Sequence, residues 1–113
     1  MQIEKIIALC AASLFIGVAF AAFIDDRQPV STVAEALKMR NDTPVILQGN
    51  IISHIRKDKY QFVDQTGEII VEIDTKNWHN VDVRPTDTVK IYGEVDKDWA
   101  TTEIDVDSVE IIP

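Results

Sequence analysis

The sequence predicts an all-β domain: a small closed barrel of five strands with a short N-terminal helix, preceded by a signal peptide. Three observations carry this reading. A long apolar strand over residues 45–55 has Gly49 inside it, a short aromatic strand and an Asp-Gln-Thr-Gly turn follow directly, and two further alternating strands end the chain. A glycine in mid-strand permits the sharp bend by which one strand joins both halves of a small barrel, and closure removes the sheet edges that would otherwise stay open.

Residues 1–5 are a short polar lead, residues 6–22 carry no charged side chain, and Ala19-Phe20-Ala21 has the small-x-small pattern of a signal-peptidase site. Cleavage after Ala21 or Ala22 divides the chain into a signal peptide (1–21), a linker (22–30) and a barrel domain (31–113), and predicts an exported product with no stable membrane insertion. An uncleaved anchor is the competing reading, since the uncharged stretch is close to the shortest that spans a bilayer of about 30 Å. The alanine-rich end argues for cleavage.

Cys10 lies in the leader, so the mature chain has no cysteine and with it no disulfide, thiolate nucleophile or Cys-ligated zinc. The remaining chain of about 90 residues suffices for one core, and no repeat or Gly/Pro-rich stretch divides it. The net charge of -8 is unchanged by cleavage, because Glu4 and Lys5 cancel. A surface of that sign repels phosphate backbones, so no nucleic-acid partner is expected.

Thr32-Val33-Ala34-Glu35 reads as a capping box that starts a helix running to about Met39, with Val33, Ala36 and Leu37 on one face to plug a barrel end. Asn41 to Pro44 stops it. The first strand, nearly all apolar or small, reads as buried over much of both faces. Residues 60–64 form the second strand, a turn with Gly67 at positive φ follows, and residues 68–74 place Ile69, Val71 and Ile73 inward. Residues 76–85 hold Trp78 and room for at most one helical turn. Residues 88–96 put Val89, Ile91, Gly93 and Val95 inward. The last strand, 101–112, faces Ile104 and Val106 inward and then shifts phase to Val109 and Ile111, the signature of a β-bulge. Five strands in this spacing match a barrel of the oligonucleotide/oligosaccharide-binding (OB) type.

The residues also carry a resemblance. Val45-Ile46-Leu47-Gln48-Gly49-Asn50-Ile51, Tyr60-Gln61-Phe62-Val63-Asp64 with Gly67, and Ile91-Tyr92-Gly93-Glu94-Val95-Asp96-Lys97-Asp98 before Ile104-Asp105-Val106 resemble the bacterial OB-fold (BOF) family of small periplasmic proteins. The resemblance covers nearly the whole mature chain. It implies a periplasmic OB barrel with a role in tolerance of envelope stress, and it implies no catalytic residues.

No catalytic grouping is read from the residues either. His54 and His79 are the only histidines, and no serine stands at a recognisable catalytic spacing from a histidine and an acid. The expected function is a non-enzymatic binding module without a cofactor. Its ligand residues are read from the loops: the polar tip holding His54, Arg56, Lys57 and Lys59, and the last loop with Trp99, flank the usual OB ligand face. An aromatic beside cations stacks on a sugar or clamps an anion. A hydrophilic hairpin tip with Trp99 as a lid is the plainer reading of the same residues. A small or glycan-like ligand is expected, and an envelope protein is the alternative partner.

Asp96 and Asp98 at one turn, with Glu103, Asp105 and Asp107 on the following strand, read as a solvated acidic face, and Asp105 and Asp107 are expected on the side opposite the loop site. Carboxylates at alternate strand positions lie about 6.5 Å apart, while calcium takes oxygens at about 2.3 to 2.6 Å. One strand cannot chelate alone, so no metal ligand is assigned and weak divalent-cation binding stays an alternative.

Overall fold

The computed structural model describes residues 28–113; the expected signal peptide and most of the linker lie outside them. The elements are α1 (Val33–Ala36), β1 (Pro44–Arg56), β2 (Lys59–Asp64), β3 (Gly67–Glu72), a 3₁₀ turn (Thr75–Trp78), β4 (Val89–Lys97) and β5 (Thr102–Ile111). The strands close in the order β1-β2-β3-β5-β4. Only β3 and β5 run parallel; the other pairings are antiparallel. The five-stranded barrel expected from the sequence is therefore present.

Closure depends on β1. It pairs with β4 as far as Gly49 opposite Val89, and with β2 from Asn50 opposite Val63. A Cβ on Gly49 would lie 2.1 Å from the Val63 carbonyl oxygen and 3.0 Å from Phe62 Cζ, so the close approach of the two strands needs a glycine there. The first half of β1 is buried on both faces at Val45, Ile46 and Leu47. The second half is not. The β1–β2 register shifts between Ile51 and Ser53 and again between His54 and Arg56, which leaves Ile52 and Ile55 as extra residues, 40% and 42% exposed. Burial over both faces ends at exposed Gln48, and the one-sided alternation that keeps Gly49 and Ile51 buried ends at Ile52, the first extra residue, because a bulge breaks the inward-outward order.

The capping box forms as expected: the Glu35 N–H donates to Thr32 Oγ1 at 3.1 Å, and the Thr32 N–H donates to Glu35 Oε1 at 2.9 Å. The helix is shorter than the sequence predicts. The Lys38 and Met39 N–H groups bond the carbonyls of Glu35 and Ala36, three residues back, so the second turn tightens to 3₁₀. Val33 and Ala36 are buried and Leu37, the C-cap, is 43% exposed, so two of the three expected contacts reach the core.

The β2–β3 turn also differs from expectation. No described glycine has positive φ. The turn is held instead by the Asp64 carboxylate, whose Oδ1 accepts from the Thr66 N–H (2.7 Å), the Thr66 hydroxyl (2.6 Å) and the Gly67 N–H (3.2 Å). Its Oδ2 accepts from the Val33 N–H at 2.9 Å, tying α1 to the barrel. An Asx side chain that mimics a backbone turn removes the need for a left-handed glycine.

The predicted phase change in β5 is a bulge: Tyr92 faces Ser108 and Gly93 faces Val106, with Asp107 the extra residue. Val109 returns to the core, but Ile111 at the strand end is 37% exposed because the barrel rim leaves it uncovered. Phe62, Leu47, Ile73, Ile91 and Ile104 are the largest fully buried side chains, and no polar or charged residue among those described is buried.

Candidate functional site

The tip between β1 and β2 and the loop between β4 and β5 stand at one end of the barrel. Lys57 turns the first with φ 47°, and the His54 Nε2–H donates to the Lys57 carbonyl at 2.6 Å. The second is held by Asp98, whose Oδ1 accepts from the Ala100 and Thr101 N–H groups at 2.7 and 2.8 Å. Those bonds, led by Thr101, hold the Asp98 carboxyl below its ordinary range. The rigid turn keeps Trp99 97% exposed. An indole this free of the protein places a large apolar surface in water.

Lys59 joins the two loops. Its Nζ bonds Glu103 Oε1 at 2.7 Å, and its charge reaches Asp98. The Glu103 hydrogen bond raises the Lys59 pKa against the opposing effect of burial. Around this pair the carboxylates of Glu72, Asp96 and Glu103 approach within 4.8 Å of one another, as do those of Asp58, Glu72 and Asp74. Burial, then the charges of Asp107, Asp96 and Asp74, raise the Asp105 pKa.

The structure therefore sorts the residues singled out in the sequence. Arg56, Lys57, Lys59 and Trp99 belong to neighbouring loops. His54 departs from them, stacking on Tyr60 with centroids 4.6 Å apart, while Tyr60 meets Trp78 edge-on at 5.2 Å. These aromatics line a shallow groove of about 160 Å³ on the other side of the tip. Tyr60 and Phe62, on one strand face, divide: Phe62 is core and Tyr60 packs against its rim.

The acidic residues of the turn and of the following strand do not stand apart from the tip. Asp96 and Glu103 flank Lys59 on the same surface, because β3 lies parallel to β5 and brings Glu72 opposite Asp105. Asp98 is consumed by its own turn. Glu72, Asp58 and Asp74 join the cluster across strands, and sequence spacing carries no sign of them; only knowledge that the third and fifth strands pair would have found Glu72. A larger open hollow of about 640 Å³ beside α1 is lined by Thr32, Gln48, Asn50, Asp64 and Thr66, and its one carboxylate is already engaged in the turn.

Among the described residues no helix is long and apolar enough to cross a membrane. Over 80 residues the chain is 52% identical to protein YgiW of Escherichia coli K12, covering 71% of this chain and 62% of that protein. It thus spans less than two thirds of that relative's length. Identity to the calcium-regulated OB-fold protein CarO of Pseudomonas aeruginosa is 38% over 115 residues, 99% of each chain. The solved structure of hypothetical protein ygiW from E. coli superposes with a TM-score of 0.73 at 50% identity, covering 74% of this chain and 90% of that one. A model of the bacterial OB fold (BOF) protein family matches residues 19–111. The chain belongs to the BOF family.

Proposed function

We propose that this protein is a non-enzymatic, periplasmic OB-fold binding module that contributes to envelope stress tolerance by holding a small, glycan-like ligand between the β1–β2 tip and the β4–β5 loop. The observation that carries the reading is Trp99, 97% exposed on a turn that hydrogen bonds hold rigid. A preorganised aromatic face stacks on a sugar ring with little ordering cost. The carboxylates of Glu72 and Asp96, close to Glu103 on the β5 surface, accept hydroxyl hydrogens, and Lys59, already paired with Glu103, has little charge to spare for an anion. The ligand class is therefore a hydroxyl-rich neutral sugar rather than a polyanion.

Titration with neutral oligosaccharides, followed by Trp99 fluorescence and amide shifts, tests this. Trp99→Ala should lower affinity roughly tenfold, the worth of about 1.4 kcal/mol, and leave stability within about 0.5 kcal/mol because the side chain packs on nothing. Wild-type affinity in that variant would refute the site. Export follows from the leader, and the intact mass of the osmotic-shock fraction should begin at Ala22 or Phe23. A full-length chain in the membrane fraction would contradict it.

A second reading rests on the Glu72, Asp96 and Glu103 cluster, and the name of the P. aeruginosa relative mentions calcium regulation. A divalent cation there would have to displace Lys59 from Glu103, which makes binding weak.

A further inference from the structure

β1 is unevenly partnered. Past Gly49 its β4 side has no backbone partner among the described residues; only the Asn50 amide reaches across, donating to the Pro85 and Asp87 carbonyls at 3.1 and 2.9 Å. Residues 51–56 thus present unpaired N–H and C=O groups along one edge, a template onto which an extended chain adds. The bulged Ile52 and Ile55 are exposed on this half-strand. Beside it runs the groove of about 160 Å³ formed by Ile52, His54, Tyr60, Trp78, Val83 and Pro85. At its end Arg56 and Lys57 have no ion-pair partner among the described residues, although the chain carries a net charge of -8.

We propose that residues 51–56 and this groove dock an extended segment of a partner protein by strand addition, with an apolar side chain of the segment in the groove and an acidic one against Arg56 and Lys57. Each feature selects the occupant. Unpaired backbone groups are matched by another polypeptide backbone, which a sugar or an ion lacks. The groove has room for one aliphatic or aromatic side chain between Ile52 and Trp78. Two free cations in an acidic molecule choose a carboxylate by charge complementarity. A second copy of this edge, Ile-Ile-Ser-His-Ile-Arg, brings no carboxylate, so self-pairing leaves the cations unmatched. The bulges interrupt the ladder and keep the pairing short. The surface shares the Arg56–Lys57 tip with the proposed sugar site but contains neither Trp99 nor the β4–β5 loop, and its failure would leave that reading intact.

The test uses ¹⁵N-labelled protein and a capped peptide, Asp-Asp-Thr-Leu-Thr-Val-Thr. Saturable shifts of the amides of residues 51–56 and of the Trp78 indole are expected. N-methylating alternate peptide nitrogens should weaken binding roughly tenfold, as loss of main-chain hydrogen bonds requires, and replacing Asp-Asp with Lys-Lys should weaken it further. Ile52→Lys, at an exposed position, should keep the dispersed spectrum and lose binding. No saturable shift up to about 1 mM peptide, or binding indifferent to N-methylation, overturns the proposal. So does concentration-dependent protection of these amides without peptide, which would make a second copy the occupant.

Discussion

Gly49 shows what a single residue can disclose. Its place in an apolar run points to a bend, and the structure adds the reason, a backbone oxygen where a Cβ would stand. Gly49→Val should cost about 3 kcal/mol, the upper range of overpacking, because the obstacle is the rigid Val63 carbonyl and not a side chain that can turn away. The denaturant midpoint measures it, and an unchanged midpoint would mean that β1 and β2 separate freely at this point. Gly67 teaches the opposite. Its turn looks like one that needs a left-handed glycine, yet Asp64 supplies the closure, and which of two neighbouring turn-formers acts is decided by contacts with α1 that local sequence does not contain. Trp99 and Lys59 differ in the same way. The exposure of Trp99 follows from its place in a short polar loop, whereas the commitment of Lys59 to Glu103 joins residues 44 apart in sequence.

At the scale of elements, strand positions and the inward sets of β3 and β4 were legible because alternation is local. The β5 bulge was legible too, as a phase change within one strand. The β1 bulges were not, since Ile52 and Ile55 become extra only against the shorter β2. The acidic cluster was hidden for a related reason: Glu72 meets Asp96 and Glu103 through a parallel pairing that no spacing records. The docking of α1 carries a prediction of its own. Burial alone would raise the Asp64 pKa, but bonds from the Thr66 hydroxyl and from the N–H groups of Val33, Thr66 and Gly67 hold it below 3.8. A carboxyl whose folded pKa is depressed contributes stability that is present above its unfolded pKa and is lost as pH falls through the folded value. The wild type should therefore lose stability below about pH 4. Asp64→Asn should flatten that acid limb and cost about 0.5 to 2 kcal/mol at pH 7, as loss of a helix cap does. An acid limb as steep in the variant as in the wild type would assign it to other carboxylates.

Across the whole molecule, charge is the property that the sequence states most directly and the fold then organises. The net charge of -8 is not spread evenly: Glu72, Asp96, Glu103 and Asp105 share the surface between the two loops, and Arg56 and Lys57 project beyond it. OB barrels that bind nucleic acid present cations and stacking aromatics together along that surface, so that each phosphate contact releases counterions. Here the surface between the loops carries carboxylates, and the Lys59 charge is already balanced by Glu103. Two projecting cations offer about two phosphate contacts, too few to offset repulsion from the acidic face. Gel-shift titration with single-stranded DNA and RNA at about 0.15 M salt should therefore show no retained complex at micromolar protein, and lowering the salt should not rescue one, because weaker screening strengthens the repulsion as well as the attraction. Micromolar binding with a log–log salt slope steeper than about -2 would require more phosphate contacts than this tip provides, and would place the nucleic acid on a surface other than the one between the loops.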